Sequence, residues 1–184
     1  EGAIIAFSGV NGPFDIIPGT GYTNISNVSS YTASTISTVT QNSAVIMFGA
    51  SFYYSNSVSG WTTTNPGNLA ELYDVFFENG TSVYGIGRGA AFALKSATGT
   101  TGNGSATLTA SAPNGAILIA LRPGPILGVT GTIDHGTSCI GIPASQITYT
   151  ITNTGSAASG VTVTSDNPQF VVSNLSSTTM AAND

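Results

Sequence analysis

Hydrophobic positions along this chain follow two patterns, and both belong to strands. Three segments are nearly continuous in apolar residues: Ala3 to Phe7, Ala44 to Phe52, and Ala116 to Leu121. Runs of that length between glycines predict central strands covered on both faces. Other segments alternate. In Ala106-Thr107-Leu108-Thr109-Ala110, in Ile147 to Thr152 and in Val161 to Thr164, apolar residues fall on one face and threonines on the other. The β-branched threonine favours extended backbone while leaving the wet face uncharged. No segment keeps a helical period for three turns. The best helical candidate, Asn68 to Asp74, leads directly into Val75-Phe76-Phe77 and reads as the start of a strand. Gly, Pro and Asn punctuate the chain about every ten residues, a spacing typical of sandwiches and barrels. Asn11-Gly12-Pro13, Asn79-Gly80, Asn103-Gly104 and Asn114-Gly115 predict hairpin turns. Asn153-Thr154-Gly155 predicts a hairpin or short loop, Ser165 to Pro168 a turn, and Thr98 to Gly104 a flexible bridge.

The seam Leu121-Arg122-Pro123-Gly124-Pro125 divides the chain into 1–123 and 124–184. Two prolines without N–H groups stop a strand ladder and limit hinge freedom, so the two modules are expected to hold a defined mutual angle. The first module is long enough to bury a good core. The second is near the size at which a lone domain is marginally stable. No internal repeat is visible. The expected fold class is all-β: two β-sandwiches, either or both completed by strands from another chain or a missing segment. The chain opens inside a strand pattern and lacks an initiator Met, so it reads as a mature, processed or excerpted product.

Composition narrows the function. Only 6% of the 184 residues are charged and the net charge is −5, against about 25% charged in an ordinary soluble domain. Ser, Thr, Asn and Gly supply the polar surface instead. Arg88, Lys95 and Arg122 are the whole cationic set and are scattered, which argues against nucleic acid and anionic membranes. The longest apolar runs are strand length, not membrane-spanning helix length. Cys139 is the single cysteine. It is either a small buried apolar residue or the site of a bond to another subunit.

Candidate chemistry is sparse. His135, the one histidine, follows Asp134 directly; adjacent residues in a strand face oppositely and cannot pair as base and orienter. Gly85-Ile86-Gly87-Arg88-Gly89 lacks the following helix of a dinucleotide site and reads as a bend or bulge in a strand. Glu71 and Asp74 lie three apart, on opposite faces of a regular strand, which spoils a facing carboxylate pair. If the chain turns there, Asp74 and Glu78 are candidate calcium ligands with backbone carbonyls; otherwise no cofactor is expected. One Cys and one His do not make a zinc site. Tyr53, Tyr54 and Trp61 surround a polar loop and are the ligand-binding candidates, since aromatic faces stack on sugar rings. The alternative places Trp61 in the core. N-x-S/T sequons at Asn24, Asn27, Asn79, Asn103 and Asn174 are the chance matches of a Ser/Thr-rich chain.

Two resemblances add to this reading. Ile4 to Val10 with Pro13-Phe14-Asp15, then Leu69 to Asp74, then Ala116 to Pro123, resemble a jelly-roll-like β-sandwich of bacterial surface proteins and some phage virion proteins, over about 2–123. In that family several strands usually precede the one matching Ile4 to Val10. Thr150 to Gly155, Ser159 to Val163 and Asn167 to Val172 resemble the Ig-like domains of large secreted bacterial proteins, over about 126–184. There, further strands follow the position of Ala181 to Asn183. Neither resemblance supplies catalytic residues.

The expectation is a non-enzymatic building block of an extracellular filament, stalk or adhesin. A sandwich lacking edge strands exposes backbone hydrogen-bonding groups that another subunit fills by strand addition. Glu1–Val10 and Ser173–Asp184 are the segments expected to pair across subunits, with copies of the chain or neighbouring modules as partners. The alternative is a carbohydrate-binding adhesive module with glycan partners. A third reading is an excerpt of a longer secreted protein that carries the missing strands itself.

Overall fold

The structure, a computed structural model, describes residues 2–12, 14–52, 57–78, 85–132, 134, 136–137 and 139–182. It is all-β: twelve strands and no helix among the described residues. The chain divides into two compact units, Glu1–Pro123 and Gly124–Asp184, with the division inside the Pro-Gly-Pro seam.

The first unit is built on β1 (Tyr22–Ala33), β2 (Ser37–Thr38), β3 (Ser43–Ser51), β4 (Val58–Thr62), β5 (Ala70–Glu78), β6 (Gly85–Lys95), β7 (Gly99–Thr100) and β8 (Gly104–Leu121). The main sheet runs β1-β8-β3-β6-β5, every pair antiparallel, with β4 also on β8. Strand β8 belongs to two layers. Its second half, Asn114 to Leu121, pairs with β3, and its first half, Ser105 to Leu108, pairs with β4. β1 follows β8 with register shifts on both sides of Val28. The long strand therefore carries its own first half over the sheet formed by its second half.

The core lies between these layers. The lower sheet contributes Val45, Met47, Ala91, Ala116, Leu118 and Ala120; the upper layer contributes Tyr31, Ala33, Val58, Trp61, Ala106 and Leu108. Small residues on one side receive large ones from the other. Gly49 and Gly89 are cross-strand partners on the sheet floor. The Tyr31 ring covers the first and the Trp61 ring covers the second. The two rings pack against each other with centroids 5.7 Å apart.

Two expected features differ. Asn114-Gly115 is no hairpin: it sits inside the uninterrupted β8, where Asn114 Nδ2 donates to the carbonyl of Ala112 at 3.0 Å. The Ala3 to Phe7 run is not a buried central strand. It joins no ladder, and Ile4 is fully exposed. The chain first meets β8 at Val10, which bridges Pro123, and then follows it irregularly: Asn11, Asp15 and Gly19 donate to the carbonyls of Arg122, Ala120 and Leu118. Asp15 anchors this stretch. Its buried carboxylate accepts the N–H groups of Val39 (2.7 Å) and Thr40 (3.2 Å), and Arg122 Nε lies 3.4 Å away.

The second unit is sparser. β9 (Leu127–Thr130) pairs with β10 (Thr150–Asn153), and β11 (Ala158–Ser159) pairs with β12 (Thr179–Met180). The alternating Val161 to Thr164 forms no strand, and Asn153 to Gly155 is a loop, not a hairpin, because β10 pairs backward to β9. The centre of the unit is polar. Asn153 is fully buried. Its Oδ1 accepts from the N–H groups of Ile126 and Gly155, and its Nδ2 donates to the carbonyls of Ser156 and Ala181. One amide thus ties four separate backbone points. Apolar side chains outside this centre, including Ile140, Ile142, Phe170 and Val171, are exposed.

Candidate functional site: an apolar sheet face

The aromatic candidates separate. Tyr53 and Tyr54 lie outside the described residues. Trp61 is 3% exposed. Its indole Nε1–H donates to Glu71 Oε2 at 3.1 Å, and its ring is taken up by Tyr31 and Gly89. No face of it is open to a sugar.

The carboxylates are structural anchors. Leu72 is an extra residue in β5, bulged between Glu71 and Tyr73. The bulge shifts the alternation by one, so Glu71 and Asp74 share one face of β5, contrary to the expectation for a regular strand, with Glu71 exposed at the sheet edge and Asp74 half-buried. Glu71 holds Trp61, and Asp74 Oδ2 accepts the N–H of Val58 at 2.9 Å. Together they fasten β4 across β5. The segment does not turn after Asp74. Asp74 and Glu78 are four positions apart on an extended strand, about 13 Å, so they cannot share one calcium ion; the Glu78 side chain itself lies outside the described residues. No group of three or more His, Cys, Asp or Glu capable of holding a metal occurs among the described residues. His135 lies outside them, and Asp134 accepts from the N–H of Gly136. Cys139 is exposed, not a core residue. The Gly85 to Gly89 segment runs straight within β6, in register with β3 through Gly87. Its glycine at 89 answers to the indole above it, not to a bend.

Four buried oxygens, Tyr31 Oη, Ser51 Oγ, Asp74 Oδ1 and Asn114 Oδ1, make no hydrogen bond among the described residues. Burial raises the Tyr31 phenol above its usual value, against a lowering by the nearby Ser51 hydroxyl, although the two oxygens do not meet hydrogen-bond geometry. Tyr31 lies within electrostatic reach of both Ser51 and Asp74, whose charge also raises the phenol, and Ser51 is the cross-strand partner of Asn114. Asp74 on β5 and Asn114 on β8 are three strands apart in the sheet order, about 14 Å at ~4.8 Å per strand.

The feature that sequence reasoning did not assemble is the outer face of the main sheet. Cross-strand partners share a face, so the register reads it row by row. Leu94, Ala44 and Leu121 form one row; Phe92, Ile46 and Ile119 the next; then Tyr73, Ala90, Phe48 and Ile117; then Val75, Arg88, Ala50 and Gly115; and Phe77 with Ile86 the last. Arg88 is the one charged residue among these positions. Burial raises the Tyr73 phenol and Arg88 beside it lowers it, so the two are neighbours on this face. Ile46 and Ala90 are buried, and Phe92, Phe48, Ile117, Ile119 and Tyr73 are half-buried. Leu94 is 62% exposed and Ile86 37%.

Two shallow grooves bound this face. One, of about 420 Å³, runs between Ile5–Val10 and the row of Leu94, Ala44 and Leu121. There Phe7 meets Phe92 edge to face, with centroids 5.8 Å apart. The other, of about 330 Å³, lies at the opposite end among Ile25, Ala50, Phe52, Ile86 and Pro113. The signal in the sequence was the unbroken apolar runs Ala44 to Phe52 and Ala116 to Leu121, which demanded cover on both faces. Comparison with protein-family models, with curated proteins and with solved structures finds no match to this chain.

Proposed function

We propose that this chain is a non-enzymatic structural module of an extracellular filament, stalk or adhesin, joined to copies of itself or to neighbouring modules by β-strand pairing. The observation that carries the reading is the Ala3 to Phe7 run: apolar and β-prone, yet without a ladder, and with Ile4 fully exposed beside a groove. Unpaired extended backbone next to an apolar groove is what strand addition uses. In the second unit Val171 is exposed as well. The buried Asp15 and Lys95 are committed to holding the fold, Asp15 to the Val39–Thr40 backbone and Lys95 Nζ to the carbonyl of Ala97, and the exposed Glu71 holds Trp61. An uncharged Ser/Thr/Asn surface suits an extracellular setting, and among the described residues no helix is long and apolar enough to cross a membrane.

Electron microscopy of the chain over a rising concentration series tests this. Fibres or strings are expected, and Ile5→Pro, which removes an N–H donor outside the core, is expected to abolish them. Material that stays as single particles at every concentration, or fibres indifferent to Ile5→Pro and to a matching proline at Val171, would refute strand pairing.

A further inference from the structure

Four buried oxygens of the first unit are left over when its hydrogen bonds are assigned, and they belong together. We infer that Asp74 Oδ1, Tyr31 Oη, Ser51 Oγ and Asn114 Oδ1 are joined by internal water into one hydrogen-bonded chain that crosses the end of the core from β5 to β8. The inference concerns the interior and stands whether or not the filament reading holds.

Need is the first argument. Each oxygen is shut off from solvent and has no partner among the described residues. A buried polar atom left unpaired forfeits the hydrogen bonds it made in water, so such atoms in folded proteins find protein or water partners. Orientation is fixed at both ends of the set. Asp74 Oδ2 accepts the N–H of Val58 at 2.9 Å, which leaves Oδ1 as the free oxygen. Asn114 Nδ2 donates to the carbonyls of Ala112 at 3.0 Å and Val28 at 3.4 Å, which leaves Oδ1 free there too. Two oxygens that only accept therefore end the chain. The hydroxyls of Tyr31 and Ser51, which donate and accept, lie between them.

Placement connects them. Ser51 and Asn114 are cross-strand partners on the inner face of the sheet, with Cβ atoms about 5 Å apart. The Tyr31 ring lies over Gly49, two residues before Ser51 and on the same face. Its phenol senses both the Ser51 hydroxyl and the Asp74 charge, so Tyr31 is in reach of both ends. The spacing selects water over a metal ion. Asp74 and Asn114 start three strands apart, about 14 Å at ~4.8 Å per strand, too far for all four oxygens to surround one cation at about 2.3–2.6 Å. A buried water makes about three hydrogen bonds. One water takes the Tyr31 phenol proton and donates to Asp74 Oδ1. A second takes the Ser51 proton and donates to Asn114 Oδ1 and to the phenol oxygen. All four oxygens then have partners.

A crystal structure of the full chain, at a resolution that shows ordered water, reads the site directly. The expected result is one water within ~3 Å of Asp74 Oδ1 and Tyr31 Oη, and another within ~3 Å of Ser51 Oγ and Asn114 Oδ1. A dry site, side chains bonded directly to one another, or a single ion ringed by their oxygens overturns the inference. A double-mutant cycle on the folding constant reads the same link in solution. Tyr31→Phe removes only the phenol oxygen. Asp74→Asn turns the free Oδ1 into a donor and keeps the oxygen that accepts from Val58. The double variant is expected to depart ~5-fold or more from the product of the two single losses, whereas unlinked sites stay within ~2-fold. Tyr31→Phe with Asp15→Asn, whose carboxylate sits at the other end of the sheet beside Val39 and Thr40, is the control and is expected to be multiplicative. Should Asp74→Asn fail to fold, Ser51→Ala takes its place in the cycle. A cycle as multiplicative as the control overturns the inference.

Discussion

Trp61 occupies the space that a side chain at Gly89 would need: a Cβ there would stand 2.6 Å from the indole Cζ2. The two residues lie 28 positions apart and on facing layers, so neither makes sense without the other. Trp61 is held along the same edge, at Nε1, by Glu71, which prevents the ring from sliding away. Gly89→Ala is therefore expected to destabilise the first unit by about 1–3 kcal/mol, the usual cost of overpacking a close-fitted core. Urea unfolding followed by fluorescence of Trp61, the one tryptophan, gives the number directly. A variant as stable as the parent would mean that the indole has room to move.

Asn153→Ala removes the side chain that ties Ile126, Gly155, Ser156 and Ala181 together. At about 1 kcal/mol per hydrogen bond the loss is about 4 kcal/mol, comparable with the whole stability of a unit this small. Hydrogen exchange should show protection vanishing in Gly124–Asp184 while β3, β6 and β8 keep theirs. Retained protection at Leu127–Thr130 would show that the asparagine is dispensable.

Asp15 sets an acid limit. Burial pushes its carboxyl upward, but hydrogen bonds from the Thr40 hydroxyl, the Val39 and Thr40 N–H groups and the Ser43 hydroxyl outweigh it, and the pKa is lowered. A folded pKa below the unfolded one means that the ionised form stabilises the fold. This contribution is complete above the unfolded value of about 3.9 and is lost as pH falls through the lower, folded value. Asp15→Asn should be less stable at neutral pH and show a flatter stability profile below pH ~4. Parallel profiles for variant and parent would assign the acid sensitivity to other groups.

The thiol of Cys139 is exposed. One equivalent should therefore react with a thiol reagent in the native protein, without denaturant. Cys139→Ser should leave stability within about 0.5 kcal/mol, the usual range at a surface position. A thiol that reacts only after unfolding would contradict its placement.

Much of the first unit was legible from residue patterns alone. Ala44 to Phe52 and Ala116 to Leu121 became the adjacent central ladder, and the weak helical pattern at Asn68 to Asp74 gave way to β5. Misreadings arose where strand pairing, which is non-local, outweighed local chemistry. Asn114-Gly115 has the composition of a turn, yet both its neighbours, β1 and β3, continue the ladder past it. Ala3 to Phe7 has the composition of a strand and no partner to pair with. Glu71 and Asp74 changed faces because a bulge at Leu72 cannot be inferred from a count of positions. The outer face was half legible: apolar runs announced that both sides of the sheet were dry, but the rows from Phe77 and Ile86 to Leu94 exist only once the register is known.

A sheet apolar on both sides cannot use polarity to decide which side is in. In most strands, slipping by one residue would put polar groups inside and is forbidden on that ground. Here the distinction is carried by volume. Under the two rings, Gly49 and Gly89 turn inward, with Val45, Met47 and Leu118 filling the rest of that side, while Phe48, Phe92, Ile46, Ile117 and Ile119 turn the other way. The interior is recognised as the side with vacancies that Tyr31 and Trp61 can fill. Which side of the sheet faces inward is thus marked by size at Gly49 and Gly89, and enlarging these two would erase the mark without adding a single charge.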